Sequence, residues 1–450
     1  MASDADVIAA IATPPGRGGI GVVRVSGPDL SRIVAGVVGH VPEPRVATLG
    51  RFLDARGDVL DQGMVLWFPA PASYTGETVL ELQGHGGPAV LGLILRRCLE
   101  LGARPAMPGE FTKRAFLNDK IDLAQAESVA DLIDAATGTA ARAAARSLSG
   151  VFSQEVAAIV AALVDLRMLT EASLDFPEED IDFIRAADAQ GKLSALRERV
   201  ASLTARSRQG KLLRDGLHVV LVGAPNVGKS SLLNQLVGDD IAIVTPHAGT
   251  TRDAIRSSVE IRGIPLHIID TAGLRDTADE VEKVGIDRTR AAIAAADLAL
   301  IVTDARDLEH MPPALIAELP TALARIVVRN KIDLSGVPPS RSVVDAGPIV
   351  WLSAKTGAGI DLLQEAILEI AGAHEDLEGT FLARERHLHA LADARAHLDA
   401  ATAHLASAAP PLELFAEELR EAQRALSEIT GKFSADDLLG EIFSRFCIGK

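Results

Sequence analysis

A glycine-rich turn at residues 223–230, with the sequence Gly-Ala-Pro-Asn-Val-Gly-Lys-Ser, has the composition of a loop that binds a phosphate chain. Small residues let backbone N–H groups approach phosphate oxygens, Lys229 adds a positive charge, and Ser230 offers a hydroxyl ligand to Mg²⁺. These features suit ATP and GTP equally well. The loop therefore predicts a nucleoside triphosphate site without choosing the base.

The segment Asn330-Lys-Ile-Asp333 favours guanine. The Asp333 carboxylate can accept hydrogen bonds from guanine N1–H and from the exocyclic amino group, whereas adenine offers no such pair of donors. The sequence therefore predicts a GTP-hydrolysing domain. The residues predicted to bind GTP are Asn226, Val227, Gly228, Lys229, Ser230, Ser231, Thr245, Thr250, Thr251, Asp270, Thr271, Ala272, Gly273, Asn330, Lys331, Asp333, Ser353, Ala354 and Lys355.

The residue that commonly activates the attacking water in GTPases is missing from its usual position. A glutamine commonly orients this water just after an Asp-x-x-Gly segment, but this chain has Leu274 there, which neither donates nor accepts a hydrogen bond. The bases available downstream are Asp276, Asp279, Glu280 and Glu282, and sequence logic does not choose among them.

Asn226 is an unusual residue for a phosphate loop. Its side-chain oxygen would suit a monovalent cation beside the phosphates, where positive charge offsets the charge that develops during transfer. The alternative is a side-chain contact that stabilises the turn. The residues leave both open.

The elements that must position these loops alternate between strand and helix from Leu217 onward. Apolar runs end at Val222, Asp270, Thr303, Val328 and Leu352, and a motif follows each one. In a doubly wound parallel sheet the loops at the carboxyl ends of the strands meet the ligand. The pattern predicts such a sheet for residues 214–375.

The rest of the chain has two other patterns. Residues 1–118 contain short β-like runs (Ile20 to Val25, Met64 to Phe68, Thr78 to Leu82) and a predicted helix from Pro88 to Leu101, which indicates an α+β domain. Residues 119–213 and 376–450 have helical apolar periodicity. We expect these two segments to pack together as one helical domain, with the GTPase domain inserted between them. The helical faces comprise Leu123, Ala126, Ala130 and Ile133; Val156, Ile159, Val160, Leu163 and Leu166; Leu391, Leu398 and Leu405; and Phe415, Leu419, Ala422, Leu426 and Ile429.

The composition limits the kinds of binding partner and the cellular compartment. The formal net charge of -16 argues against a broad electrostatic grip on nucleic acid, so any RNA contact must be local. Cys98 and Cys447 are the only cysteines, which fits a reducing compartment. No basic leader or apolar stretch of about 20 residues is present, so we predict a cytoplasmic protein without a membrane span.

Motifs along the whole chain resemble the MnmE (TrmE) family of tRNA modification GTPases. The GTPase segments carry part of this resemblance, and the N-terminal and C-terminal segments make it specific. The resembling segments are 223–230, Thr13 to Gly21, Tyr74 to Glu77, Leu82 to Gly87, Leu117 to Lys120, Asp175 to Asp180, Gly249 to Asp253, Asp270 to Arg275 and Phe446 to Lys450.

The resemblance implies a homodimer with a folate-binding N-terminal domain. It implies a heterotetramer with MnmG (GidA), an FAD-containing partner, that adds an aminomethyl or carboxymethylaminomethyl group to C5 of the wobble uridine of certain tRNAs. The implied cofactors are GTP, Mg²⁺, K⁺ and 5-formyltetrahydrofolate.

The resemblance also assigns roles to individual residues. The implied catalytic residues are Glu282, Arg275 and Cys447, with Glu282 positioning the catalytic water through a second water. The implied K⁺ ligands are Asn226, Thr245, His247 and Thr250, the implied Mg²⁺ ligands are Ser230 and Thr251, and the implied folate-binding residues are Arg24, Glu81, Lys120 and Lys450.

Cys447 has two other interpretations, a prenylation site or an untethered thiol. Gly449 and Lys450 fit neither usual prenylation class. The resemblance favours a tail folded toward the folate site, with Cys447 near the chemistry as nucleophile or as acid/base.

Two rival functions remain open. One is a GTP-driven ribosome assembly switch, but such proteins usually append a basic RNA-binding module, and residues 376–450 contain more acids than bases. The other is a stand-alone one-carbon enzyme with a vestigial GTPase domain, against which the complete nucleotide motifs speak.

Overall fold

The computed structural model describes residues 6–175, 188–237, 255–270, 293–294, 296–307, 319–344, 347–373, 379–407, 410–431, 436–444 and 446–449. The chain forms two compact units. The first contains Met1–Ala130, Val156–Val160 and Gln423–Lys450, and the second contains Asp131–Glu155 and Ala161–Ala422.

The first unit is built on a mostly antiparallel sheet. Its elements up to residue 117 are β1 (Ile8–Ile11), β2 (Gly18–Gly27), α1 (Ser31–Val37), β3 (Thr48–Leu53), β4 (Val59–Phe68), β5 (Thr78–Gly86), α2 (Pro88–Glu100), β6 (Arg104–Pro105) and α3 (Glu110–Leu117). The strand order is β3-β4-β5-β2-β1-β6, and only β1 and β6 pair in parallel. The predicted α+β architecture is confirmed.

Alternation along β5 explains how this sheet presents polar groups. Leu80 and Leu82 are fully buried, whereas Glu81 and Gln83 are partly exposed. This period of two is what a strand with one covered face requires. Glu81 therefore lies on the less covered face of the sheet.

The next helices among the described residues are α4 (Leu123–Asp134), α5 (Gly138–Leu148), α6 (Val151–Asp175) and α7 (Ala189–Asp215). Leu123 and Ala126 are buried, as are Val156, Ile159, Leu163 and Leu166 of α6. The predicted face of α4 is wrong at its end, because Ile133 is 46% exposed.

The second unit contains a seven-stranded sheet flanked by helices. The elements are β7 (Leu217–Val222), α8 (Lys229–Val237), β8 (Ile255–Ile261), β9 (Ile264–Asp270), β10 (Leu298–Asp304), β11 (Ala324–Asn330), α9 (Ile332–Ser335), β12 (Ser340–Val344), β13 (Gly347–Trp351) and α10 (Ile360–Ile370). The strand order is β12-β13-β11-β10-β7-β9-β8, and the five strands from β13 to β9 pair in parallel. The predicted doubly wound, mostly parallel sheet is confirmed.

After residue 378, the described part of the chain contains the helices α11 (Glu385–Leu405), α12 (Leu412–Thr430) and α13 (Asp436–Ser444). The predicted face of α12, comprising Phe415, Leu419, Ala422, Leu426 and Ile429, is completely buried. On α11, Leu391 and Leu398 are buried, whereas Leu405 in the last turn is only half-buried.

The helices on either side of the nucleotide domain contact each other. Arg197 of α7 donates to Asp399 of α11 at 2.7 Å, and Lys211 pairs with Glu385 at 2.5 Å. Such pairing brings the chain back to the helix from which it left, which is the arrangement expected for an inserted domain. The predicted boundaries at 118, 213 and 375 stay predictions.

Within the described residues, no single helix has the length and apolar character needed to cross a membrane, although the bent pair Gly138–Leu148 and Val151–Leu174 meets both requirements.

Gly210 permits a close approach of α7 to the segment before α11. A Cβ atom on Gly210 would lie 2.0 Å from the carbonyl oxygen of Phe381, whereas a Cβ on Gly92 of α2 would meet nothing within 4 Å. We expect Gly210→Ala to lower the free energy of unfolding by about 1–3 kcal/mol. The matched Gly92→Ala change should raise it by up to about 1 kcal/mol. Chemical denaturation measures both, and a Gly210→Ala protein as stable as the parent would contradict this packing.

Candidate nucleotide-binding site

The phosphate loop lies between the end of β7 and the start of α8. Its backbone enters the left-handed region at Asn226 (φ 61°) and at Gly228 (φ 97°). A Cβ on Gly228 would lie 2.3 Å from Nδ2 of Asn330, and one on Gly223 would lie 2.4 Å from the carbonyl oxygen of Val302. Close contacts with the neighbouring strands β10 and β11 therefore require both glycines.

Lys229 and the serines after it are placed at the start of α8. The Lys229 side chain is nearly buried, and its Nζ donates to the carbonyl oxygens of Gly223 at 2.8 Å and Ala224 at 3.0 Å. Ser230 and Ser231 are exposed in the first turn, where free N–H groups and the helix dipole favour an anion. This end of the sheet thus presents an ammonium group, hydroxyl groups and backbone donors together.

Asn330 ties three loops together. It is only 2% exposed, and its Nδ2 donates to the carbonyl oxygen of Val227 at 2.8 Å. Its Oδ1 accepts from the backbone N–H groups of Lys331 and Ala354, both at 2.8 Å. Asn330 therefore holds the predicted phosphate loop and the Ser353 to Lys355 loop against the predicted base-binding segment.

Asp333 is oriented by Ser353. The Ser353 hydroxyl is buried and donates to Oδ1 of Asp333 at 2.6 Å. A carboxylate has about four lone-pair positions, so this bond leaves acceptor capacity for the two N–H donors of guanine. The sequence-based assignment of Asp333 as the base-reading residue is compatible with this geometry.

A cavity of about 400 Å³ lies where these residues meet. Predicted residues that line it are Gly228, Ser231, Asn330, Lys331, Asp333, Ala354 and Lys355. Sequence reasoning missed Asn234 and Gln235 of α8, and Leu334, which complete the lining. The available signal was helical spacing, because residues 234 and 235 lie one turn after the first serines of α8.

A fourth residue that sequence reasoning missed is Asp304, at the end of β10. Oδ2 of Asp304 accepts from Nζ of Lys331 at 3.0 Å and from a guanidinium nitrogen of Arg306 at 2.8 Å. The hydrogen bond from Arg306, with that from Lys331, holds the pKa of the Asp304 carboxyl well below its usual range. Asp304 is therefore an anion at neutral pH.

Several predicted site residues lie outside the described residues. These are Thr245, His247, Thr250, Thr251, Thr271, Ala272, Gly273, Arg275, Glu282 and Lys450, together with the alternative bases Asp276, Asp279 and Glu280. The backbone of Asp270 ends β9, and its side chain lies outside the described part. Their roles stay predictions.

Two of the predicted folate-binding residues form an ion pair in the first unit. Arg24 and Glu81 face each other across β2 and β5, with Nε of Arg24 3.0 Å from Oε1 of Glu81. The guanidinium also lies 5.5 Å from the ring centroid of Tyr74 and 5.7 Å from that of Phe111. The sheet register thus places a cation, an anion and two aromatic rings together.

The loop that carries Tyr74 is held by α3 and the residues just after it. Tyr74 shares a 2.8 Å hydrogen bond with Thr112, and Asn118 donates to the carbonyl oxygen of Thr75 at 2.7 Å. Lys120, the third predicted folate ligand, donates to the carbonyl oxygen of Pro71 at 3.1 Å. The resembling segments 74–77 and 117–120 are therefore neighbours in space.

Arg114 of α3 is a further residue that sequence reasoning missed. Its nearly buried guanidinium pairs with Glu77 at 3.0 Å, with Asp6 at 2.7 Å and with Glu110 at 3.1 Å. Removing one member of such a buried cluster leaves uncompensated charge. Arg114 therefore anchors the 74–77 loop to the body of the first unit.

The C-terminal segment packs beside the start of α3. The backbone N–H of Gly109 donates to the carbonyl oxygen of Cys447 at 3.3 Å, and Ile448 forms a β-bridge with Pro108. Cys447 is exposed, whereas Cys98 is buried, and burial raises the pKa of the Cys98 thiol to about 12. Cys447 is thus the accessible thiol of the two. Its backbone partner, Gly109, lies two residues before Phe111, whose ring is next to the guanidinium of Arg24.

Fold and site together define a P-loop GTPase. The family model described as "MnmE helical domain" matches residues 123–447, and that described as "GTP-binding protein TrmE N-terminus" matches residues 7–120. The chain belongs to the MnmE (TrmE) family of tRNA modification GTPases.

Curated relatives cover nearly the whole chain. The tRNA modification GTPase MnmE of Ralstonia nicotianae is 60% identical over 98% of this chain and 96% of its own length. That of Chromobacterium violaceum is 59% identical over 98% of both chains. The resemblance identified from the sequence motifs is confirmed.

Two solved structures are each similar to part of the chain. The G domain of the T. maritima FeoB iron transporter has 28% identity and a TM-score of 0.26, and covers 34% of this chain and 98% of its own. Aquifex aeolicus Era bound to GDP and AlF4⁻ has 27% identity and a TM-score of 0.27, over 40% of this chain and 66% of its own.

Proposed function

We propose that this GTPase is K⁺-dependent and that, with the FAD-containing partner MnmG (GidA), it adds an aminomethyl or carboxymethylaminomethyl group to C5 of the wobble uridine of certain tRNAs. It acts as a cytoplasmic homodimer within a heterotetramer. The chain divides into an N-terminal domain (1–118), a helical domain (119–213 and 376–450) and an inserted GTPase domain (214–375).

The observation that carries the proposed chemistry is the arrangement in the first unit. Arg24, Glu81 and Tyr74 are assembled on one sheet face, and the tail bearing the exposed Cys447 is paired to Gly109 at the start of α3. This juxtaposition supports a modifying site that includes a folate and a thiol. A ribosome assembly switch would have no use for it.

The residues present fit a tetrahydrofolate such as 5-formyltetrahydrofolate. Arg24, with Lys120 and Lys450, would bind the carboxylates of its glutamate tail, and Glu81 would accept from pterin N–H groups. Tyr74 and Phe111 offer ring faces beside these polar groups. Such a folate supplies a one-carbon unit when bound.

In the GTPase domain, Lys229 and the N–H groups at the start of α8 bind the phosphates, and Ser230 with Thr251 would hold Mg²⁺. Asp333 reads guanine, while Glu282 positions the water and Arg275 belongs to the same catalytic segment. None of these roles accounts for the positive charge that would offset the negative charge developing on the phosphates during transfer.

The position of the Asn226 side chain supports a cation site. Its side chain is exposed at a left-handed position and has no hydrogen-bond partner among the described residues, so no turn contact of its amide is seen there. Its oxygen, with those of Thr245, His247 and Thr250, would hold K⁺. An ion there supplies positive charge beside the phosphates.

The test compares GTP hydrolysis in K⁺ and Na⁺ at equal ionic strength. Turnover should rise strongly in K⁺, and Asn226→Ala should abolish the difference. Glu282→Ala should lower turnover by about 10²-fold with GTP binding nearly unchanged, because only a positioned base is lost. Equal rates in the two salts would exclude the cation mechanism. Normal turnover of Glu282→Ala would redirect the search to Asp276, Asp279 or Glu280.

A further inference from the structure

Asp304 belongs to none of the nucleotide-binding motifs, yet it contacts Asn330 and Lys331 of the base-binding motif. It ends β10 directly beside Asn330, the last residue of β11. Its carboxylate accepts from the backbone N–H and the Nε of Arg306, both at 3.0 Å, and from Nζ of Lys331 at 3.0 Å. The side chain of Asp304 is 17% exposed. Strand pairing and Arg306 therefore hold this carboxylate in one orientation.

Lys331 makes a second contact that reaches the phosphate loop. Its Nζ donates to the carbonyl oxygen of Asn226 at 2.7 Å as well as to Asp304. Lys331 and Asn226 both have left-handed backbones, with φ values of 71° and 61°. Residues other than glycine keep such a conformation only where surrounding contacts determine it. The Lys331 ammonium group therefore links two backbone segments that are each held away from their preferred conformation.

We infer that Asp304 is a positioning residue for nucleotide binding. With Arg306, it fixes the Lys331 ammonium on the carbonyl oxygen of Asn226, and so sets the base-binding and phosphate-binding loops relative to each other before the nucleotide arrives. The part of the inference that concerns nucleotide affinity requires only that this site binds a guanine nucleotide. Its extension to cation dependence rests on the proposed K⁺ site at Asn226.

The physical reason is preorganisation. Lys331 lines the nucleotide cavity, and a free lysine side chain has many rotamers. Fixing its Nζ at two acceptors places its methylene chain along the cavity wall before binding. Without the Asp304 carboxylate, Lys331 must be ordered by the nucleotide itself, and that cost appears as weaker binding.

The decisive measurement is GDP affinity of the full-length protein in Na⁺ buffer with Mg²⁺, by titration of a fluorescent GDP analogue. Asp304→Ala should weaken GDP binding by about tenfold. Lys331→Ala should weaken it at least as much, and the double variant should bind no more weakly than Lys331→Ala alone. Asp304→Asn, which keeps the size and one acceptor oxygen, should fall between the parent and Asp304→Ala.

The matched control is Asp399→Asn, which removes a similar ion pair with Arg197 in the helical domain and should leave GDP affinity unchanged. Losses that add fully in the double variant would overturn the inference, because Asp304 would then act independently of Lys331. Unchanged affinity in both Asp304 variants would also overturn it. If Asp304→Ala does not fold, Asp304→Asn decides the question alone.

A second measurement uses the same proteins in GTP hydrolysis. If Lys331 helps to hold the Asn226 conformation, Asp304→Ala should raise the K⁺ concentration needed for half-maximal turnover several-fold. An unchanged requirement would overturn the extension to Asn226. A parent enzyme insensitive to K⁺ would refute the proposed cation site, and the GDP titration would still decide the role of Asp304.

Discussion

An Asp333→Asn variant is expected to lose affinity for GTP by about 10³-fold or more and to gain affinity for xanthosine triphosphate by a similar factor. In the parent, the Ser353 hydroxyl donates to Oδ1 of Asp333 at 2.6 Å. The amide of the variant retains an oxygen that can accept this hydrogen bond, so the side chain keeps its orientation. What changes is the group facing the base. An N–H donor of the amide replaces a carboxylate acceptor. This donor cannot pair with the amino group of guanine, but it can donate a hydrogen bond to the 2-oxo group of xanthine.

The measurement is competition between GDP and xanthosine diphosphate for the parent and the variant. Asp361→Asn is the control, because Asp361 is an exposed acid in the first turn of α10 and does not line the cavity. A variant that binds GDP as tightly as the parent would remove Asp333 from the base site. A variant that loses GDP without gaining the xanthine nucleotide would indicate a collapsed site instead of a changed base preference.

The second large effect concerns Cys447. We expect Cys447→Ser to hydrolyse GTP normally and to leave wobble uridines unmodified, because the tail packs against Gly109 in the first unit while the nucleotide loops belong to the second. A serine hydroxyl is a far weaker nucleophile and acid than a thiol at neutral pH. Mass spectrometry of wobble nucleosides, in a deletion strain carrying the variant gene, measures the outcome.

Cys98→Ala is the matched control for this experiment. It removes the other thiol of the chain, which is buried in α2, and should leave the modification in place. Normal modification with Cys447→Ser would show that the tail thiol is incidental. Loss of GTP hydrolysis in the same variant would contradict the separation of the two sites.

Local patterns predicted the five parallel strands of the second unit well, because each is a mostly apolar run. The two edge strands, β8 and β12, carry more polar residues and were not predicted. The structure extends two of these runs into polar residues: β10 ends at Asp304 instead of Thr303, and β11 ends at Asn330 instead of Val328. Backbone pairing of Asp304 with Asn330 explains the extension. Likewise, Ile133 and Leu405 continue an apolar spacing at the helix ends, where tertiary packing leaves Ile133 exposed and Leu405 only half-buried.

The sequence by itself determined the nucleotide chemistry, the alternation of elements and the family, because each depends on residues close together in the chain. Only the tertiary structure decided that Asp304 holds Lys331, that Arg114 anchors Glu77, and that the Cys447 backbone pairs with Gly109. These contacts join residues 27, 37 and 338 positions apart. Spacing along the chain carries no signal for them, since their proximity arises from strand register and helix packing that no short segment encodes.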